Sequence, residues 1–270
     1  FLSLYFVHAM SVEENNYLSL ERRTPTEEDL NDPSVVVLDV GEQHQPELSN
    51  FDHHQFDRDS EPVCALTLIL QNMTIYEEAK RGFRWLNVTE KFDSKGPHYV
   101  ANEIGIEWNK ISDATFSPIE EVILHRFSKF TGFNPKSDIY ILLTTIGEEL
   151  LKTLEQFTSR YQQLSDSITT SLVYGNEIVF SLGILGDNDP SFALSAYVAD
   201  RHPDAVVTIT HDDRGDGYCL FRLNDSPKID FSQIESDERV LFAHKNGFVA
   251  KTHDKLESTE ILELLEKSSK

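Results

Sequence analysis

The stretch Val35-Val36-Val37-Leu38-Asp39-Val40-Gly41, set off by Pro33-Ser34, limits what this chain can fold into more than any other. A short, continuous, β-branched apolar run reads as a strand buried on both faces, and such strands belong to parallel sheets. The run predicts an α/β fold in which Asp39 closes a parallel strand. Carboxyl ends of parallel strands are where open α/β sheets bind ligands. The next functional group is Asn50-Phe51-Asp52-His53-His54-Gln55-Phe56-Asp57. It sets one carboxylate beside two adjacent imidazoles, and a loop carrying it is expected to face the same crevice as Asp39.

Carboxylate and imidazole together suit Mn²⁺ or another borderline divalent ion better than Ca²⁺. An adjacent His pair taken alone reads as a hydrogen-bonded loop. An Asp directly before the pair and a strand-terminal Asp upstream turn the reading toward metal. Asp93, in the expected loop Asp93-Ser94-Lys95-Gly96-Pro97, is ordinary at a helix end. It becomes a candidate because the crevice needs another carboxylate. A bound divalent ion polarises a phosphoryl oxygen and lowers the pKa of a bound water. A neighbouring His can contact the phosphate or act as an acid to the leaving group.

The chain has 270 residues, enough for one large core or two medium ones, and two domains are expected. With 39% apolar and 26% charged residues it has the composition of a soluble globular protein. No apolar run is long enough to span a bilayer, so no membrane association is expected. The two cysteines, Cys64 and Cys219, lie in apolar or aromatic runs and read as buried thiols. That reading suits a reducing, cytoplasmic compartment. No leader with a cleavage site is recognised. The formal net charge of −22 argues against a broad basic surface for duplex DNA. Its excess carboxylates either form a solvated surface or partly line a divalent-metal site.

Along the chain, Phe1–Met10 reads as the middle of a helix without an N-cap, and residues 17–23 as a strand. Thr24–Leu30 reads as a short capped helix with Pro25 near its first turn. Helices are expected over 61–76 and about 77–92, and from Ser117-Pro118 to about Ile168, punctuated by Phe133-Asn134-Pro135. Ile178–Leu182 opens a second α/β unit. It continues with a helix at Phe192–Ala199 and a hairpin of Ala205–Thr210 with Tyr218–Leu223. The segment Val240–Ala250 and a terminal helix at about 256–268 follow. Trp85 and Trp108 read as core anchors. His211-Asp212-Asp213 reads as turn chemistry rather than a second ligand group. Lys245 and Lys251 are candidates for contact with a phosphate backbone, or simply surface. Arg22-Arg23 could meet substrate phosphate or form salt bridges.

In order, Val-Val-Leu-Asp39-Val-Gly, Asn-Phe-Asp52-His53-His54-Gln and Asp93-Ser-Lys-Gly-Pro resemble the DHH phosphoesterase superfamily. The closest likeness is to its melanocyte-proliferating-gene (Myg-type) exonuclease branch. Leu241-Phe-Ala-His244-Lys-Asn246-Gly247-Phe248 is similar to that branch's C-terminal His-x-Asn-Gly-Phe segment. The resemblance covers most of the chain and is loose over about 115–170. It implies a parallel-sheet catalytic domain over 1–115, a helical connector over 116–170, and a smaller α/β domain over 171–270 that grips substrate across a cleft. It also implies a two-metal phosphoesterase using Mn²⁺ or Mg²⁺, with 3′-to-5′ exonuclease activity on RNA or short oligonucleotides. Carried over, Asp39, His53 and Asp93 bind metal, His54 faces the phosphate, and Asp52 orients the pair. His244, Asn246 and Gly247 fall on the substrate side of the second domain.

The family also opens with a His-rich, Asp-bearing motif that completes the metal pair. No such motif precedes Asp39 here; His8 stands alone in its apolar run. The abrupt start at Phe1 leads to the expectation that the motif lies upstream. The acidic chain favours a short oligonucleotide or small nucleotide over long RNA, whose affinity rests on Lys and Arg contacts. The rival reading from another class is a non-catalytic binding or scaffold protein on the same fold, with a degenerate site.

Overall fold

The computed structural model describes residues 20–115, 117–129, 132–133, 136–186, 189 and 191–270. The expected helix at Phe1–Met10, His8 and the first part of the expected strand at 17–23 lie outside them. The fold is mixed α/β, and its chain forms two compact units, Phe1–Leu154 and Glu155–Lys270.

In the first unit, β1 (Leu20–Glu21) pairs antiparallel with β5 (Gly132–Phe133). Helix α1 (Glu27–Asn31) starts at Thr26, whose hydroxyl accepts from Asp29 N–H while Asp29 accepts from Thr26 N–H. Pro25 therefore precedes the cap rather than entering the first turn. Such reciprocal capping satisfies two donors that a five-residue helix otherwise leaves open. A three-stranded sheet follows, in the order β2 (Val37–Leu38), β4 (Asn50–Phe51), β3 (His44–Gln45). β2 and β4 are parallel, with Leu38 beside Phe51, and β3 is antiparallel to β4. The sheet is thus mixed, not wholly parallel as expected. The returning chain is short enough to add an antiparallel edge strand within a few residues.

The helical region after the sheet breaks more often than periodicity suggests. In place of helices at 61–76 and 77–92 stand α2 (Ala65–Asn72), α3 (Tyr76–Gly82) and α4 (Leu86–Lys95). Thr74, at φ 59°, interrupts the first, and Phe83 in extended backbone interrupts the second. Helix α2 is buried continuously from Ala65 to Leu70, as a helix packed on all sides must be. Glu90 of α4 is also buried; its carboxylate accepts from Thr67 of α2 at 2.7 Å. The same carboxylate engages the Tyr76 hydroxyl, which burial and this contact push above its ordinary pKa. This polar tie across three helices fixes α4, since an unpartnered buried carboxylate is strongly unfavourable. Helices α5 (Pro97–Ile104) and α6 (Trp108–Thr115) pack on α4 through Val100, Ala101 and Ile111. Trp108 is not a core anchor: it is 56% exposed and stacks on His98. Trp85 is half-buried and stacks on Phe83 at 5.1 Å. The expected helical region consists of α7 (Pro118–Ser128) and α8 (Asp138–Ser167), with β5 between them, at the expected punctuation.

The second unit is built on six strands in the order β10 (Val240–Ala243), β11 (Val249–Thr252), β9 (Tyr218–Arg222), β8 (Ala205–His211), β7 (Asn176–Gly186), β6 (Thr169–Val173). Only β7 and β8 are parallel; the other pairs are antiparallel. The parallel pair spans the crossover through α9 (Ala193–Arg201). One sheet face, with Ile178, Val207, Ile209, Leu220 and Ala250, shares a core with Phe231 and with Ile261, Leu264 and Leu265 of α10 (Ser258–Ser268). The other face carries Val179 against Val198 of α9. The expected hairpin across Asp212–Gly217 is present, and Asp212 within it pairs with Lys251 at 2.5 Å. Lys251 therefore lies in a buried ion pair. No helix among the described residues is long and apolar enough to cross a membrane.

Candidate metal centre

The metal-ligand cluster begins in the register of β2 and β4. Asp39 N–H donates to the Phe51 carbonyl and Asp52 N–H to the Gln43 carbonyl, so the two parallel strands end side by side. Asp39 and Asp52 leave their strands at the same edge. Asn50-Phe51 is thus the end of a strand rather than part of a loop, and the Asp-His-His group starts at its carboxyl end. Asp39 takes a left-handed backbone, φ 60°, although it carries a side chain. Such a conformation costs of order 1–3 kcal/mol and collects at functional sites. Nearby, the Asn50 amide donates to the Leu30 carbonyl, tying α1 to the sheet.

His53 is buried, with its side chain 7% exposed, and its Nε2 lies 3.2 Å from Asp39 Oδ1 and 3.1 Å from Asp93 Oδ2. Nε2 is buried and flanked by these two carboxylate oxygens, neither of them at a good hydrogen-bond angle. Each oxygen lies from Nε2 at the separation that cis positions around an ion with bonds of about 2.1 Å would show. The Asp39 and Asp93 carboxylates push the His53 pKa up to about 10 against the opposing effect of burial. The cluster thus holds a proton where a metal would take its place, and ligation needs the neutral imidazole. Asp93 sits in the last turn of α4, not in a loop; Gly96, at φ 84°, ends the helix after it.

Asp52 and His54 have a different task. Burial would raise the Asp52 pKa, but the His54 ring and the N–H groups of Glu42, His54 and His53 hold it below the ordinary value. Its Oδ1 lies 2.6 Å from His54 Nδ1, and its Oδ2 accepts from Glu42 N–H at 2.7 Å. A carboxylate so engaged has little capacity left for an ion. With Nδ1 toward Asp52, the His54 ring, 56% exposed, turns Nε2 toward solvent. One ligand-type atom from each of Asp39, Asp52, His53 and His54 lies within 4.8 Å of the others, so this group could hold a metal ion. Their hydrogen bonds sort them into ligand candidates, Asp39 and His53 with Asp93, and an orienting pair, Asp52 with His54.

His53, His54 and Asp93 line a cleft of about 370 Å³ with Phe56, Arg58, Ser60 and Lys95. Arg58 and Lys95 did not stand out in the sequence; the signal was one cation four residues after His54 and another two after Asp93. Arg23 lies elsewhere in its unit, bound to Asp29 at 2.6 Å and to Glu21 at 2.7 Å. Arg22 lies over the Phe127 ring and donates to the carbonyls of Phe127 and Ser128.

His244, Asn246 and Gly247 belong to the second unit, in the β10–β11 turn. Asn246 N–H donates to His244 Nδ1, and the His244 ring lies 4.1 Å from that of Phe248. Gly247 has φ 67°, and a Cβ there would run into the Asp230 carboxylate, so only glycine fits. Cys64 and Cys219 are buried, and neither is in a disulfide. No protein-family model, curated protein or solved structure matches the chain.

Proposed function

We propose that this chain is a divalent-metal-dependent phosphoesterase of the DHH type, hydrolysing a phosphodiester at the end of RNA or a short oligonucleotide. The observation that carries the reading is the buried Nε2 of His53 held between the oxygens of Asp39 and Asp93. A bound Mn²⁺ or Mg²⁺ would supply charge stabilisation at a phosphoryl oxygen and a water of lowered pKa. Asp39, His53 and Asp93 would hold it. Asp52 keeps His54 in one tautomer, leaving Nε2 to contact the phosphate or give a proton to the leaving oxygen. The set accounts for one ion; the second of a family-type pair needs ligands beyond these three. The parallel-sheet assignment rests on the β2–β4 pair. The roles of His244, Asn246 and Gly247 toward substrate rest on the resemblance alone, and Arg23, salt-bridged to Glu21 and Asp29, is given none.

A cleft of about 370 Å³ is at the low end of small-ligand sites, about 300–1,000 Å³. That size suits one nucleotide unit rather than a duplex. The test is Mn²⁺-dependent release of nucleotides from a short 3′-hydroxyl oligoribonucleotide by this chain and its His53→Ala and Asp39→Ala variants. The expected result is turnover that both substitutions abolish. Turnover that survives both would place the chemistry elsewhere. No turnover of that substrate or of bis-p-nitrophenyl phosphate, with Mn²⁺ bound, would make the chain a binding module.

A further inference from the structure

Arg58 lines the cleft that holds His53, His54 and Asp93. In a chain with 46 acidic and 24 basic residues, carboxylate partners are plentiful. Among the described residues, the Arg58 guanidinium has no ion pair and no hydrogen bond, although Asp57 and Glu61 are close in sequence and line the same cleft. Its backbone, by contrast, is held. The Ser60 N–H and hydroxyl both donate to the Asp57 carbonyl, closing a turn over 57–60. Lys95 Nζ donates to the carbonyls of Arg58 and Ser60. The ammonium thereby pins this turn to the last turn of α4, the turn that also carries Asp93. Where the Arg58 main chain starts is therefore set by the same helix that sets one ligand candidate.

We propose that Arg58, on the turn that Lys95 pins to α4, anchors a phosphate group of the substrate in this cleft. The inference rests on the phosphoesterase reading and deepens it by naming what the substrate must present. Arginine keeps its charge at every working pH, and its planar fork matches two oxygens of a phosphate. The cleft lining has two cations, Arg58 and Lys95, against three carboxylates, Asp57, Glu61 and Asp93. Alone it does not favour an anion; a divalent ion on Asp39, His53 and Asp93 reverses the balance. Phosphate binding at Arg58 is therefore metal-dependent. With few cations in reach, the site takes a single phosphate-bearing end unit and not a long backbone.

The experiment uses the whole chain in excess over Mn²⁺, with inorganic phosphate as the probe. Paramagnetic broadening of the phosphate ³¹P line reports phosphate near the bound ion, and the Mn²⁺ spin-resonance signal reports metal occupancy. Wild type should broaden the line saturably, and only with Mn²⁺ present. Arg58→Ala should weaken phosphate affinity about tenfold or more while leaving Mn²⁺ affinity unchanged, and Arg58→Lys should recover only part of the loss. Equal broadening in wild type and Arg58→Ala overturns the assignment, as does the absence of saturable broadening in wild type. Turnover of the oligoribonucleotide, followed in parallel, judges the phosphoesterase reading separately. Under the proposal, Arg58→Ala raises KM more than it lowers kcat. An active enzyme indifferent to Arg58→Ala sinks the anchor and spares the reading; a phosphate site without turnover does the reverse.

Discussion

The six-stranded and three-stranded sheets of this protein are stabilised in opposite ways. The six-stranded sheet of the second unit has a strand of eleven residues, buried apolar side chains on both faces, and Phe231 fully enclosed in its core. The three-stranded sheet of the first unit consists of two-residue strands and ends in a left-handed Asp39. Around it, the buried polar groups Asn50, Asp52 and His53 stand where a structural sheet would place apolar ones. Apolar burial tolerates a long ladder and rewards it; a ligand cluster needs polar groups crowded together, which only a short, cross-braced segment can hold. The comparison teaches that the first sheet is a support for side chains, while the second is a core.

The sharpest way to break this contrast is to damage the core. Phe231→Ala should destabilise the second unit by about 3–5 kcal/mol, seen as a lower denaturation midpoint, with Mn²⁺ affinity of the folded protein unchanged. A loss of metal binding in the folded variant would show that the two sheets are not independent in this sense.

Next come the ligand candidates. His53→Ala should lower Mn²⁺ affinity or turnover by more than about 100-fold, since even changes behind the ligands cost 10–100-fold. Asp39→Gly should do the same to metal binding yet raise the denaturation midpoint, because glycine takes the left-handed backbone without strain. A destabilised Asp39→Gly would mean that Asp39 supports the fold rather than the site.

Asp52→Asn sits lower in the order. It leaves the side chain's size but weakens its hold on His54, so turnover should fall about 10–100-fold with Mn²⁺ binding nearly intact. Equal loss of metal would make Asp52 a ligand instead of an orienting group.

Per unit, the smallest effect is that of pH. Without metal, His53 has a raised pKa, from 6.5 to about 10. Its contribution to stability is full below pH 6.5 and is lost as pH rises through about 10. Metal binding runs the other way: between about pH 7 and 9, each unit of rise should tighten Mn²⁺ by about tenfold, because one proton leaves as the ion enters. Affinity that levels off above pH 7 would show that His53 is not held between two carboxylates in solution.

Several parts of this arrangement could be read before folding. The Val35–Val40 run announces a strand ending at Asp39, although only Val37–Leu38 form it and only Val37 is buried, and Asp-Asp-Arg-Gly-Asp-Gly announces the β8–β9 turn, because both depend on neighbours in the chain. Two-residue strands such as Asn50–Phe51 have no periodicity to detect, so the parallel partner of β2 looked like loop. Asp93 looked like loop because Gly96-Pro97 follow it; the helix in fact runs on to Lys95, anchored by Glu90. Lys251 looked like surface because its partner, Asp212, lies in a different hairpin.

The sequence by itself determined the α/β character, the caps and turns, and the residue types able to bind an ion. All of these follow from short-range sterics, hydrogen bonding and apolar patterning. Only the tertiary structure decided that Asp39 and Asp93 flank His53, that Asp52 turns to His54, and that Arg58 lines the same cleft with no ion pair among the described residues. Those outcomes depend on strand register and on how α4 docks through the buried Glu90. Both are long-range packing choices that no local stretch of the chain encodes.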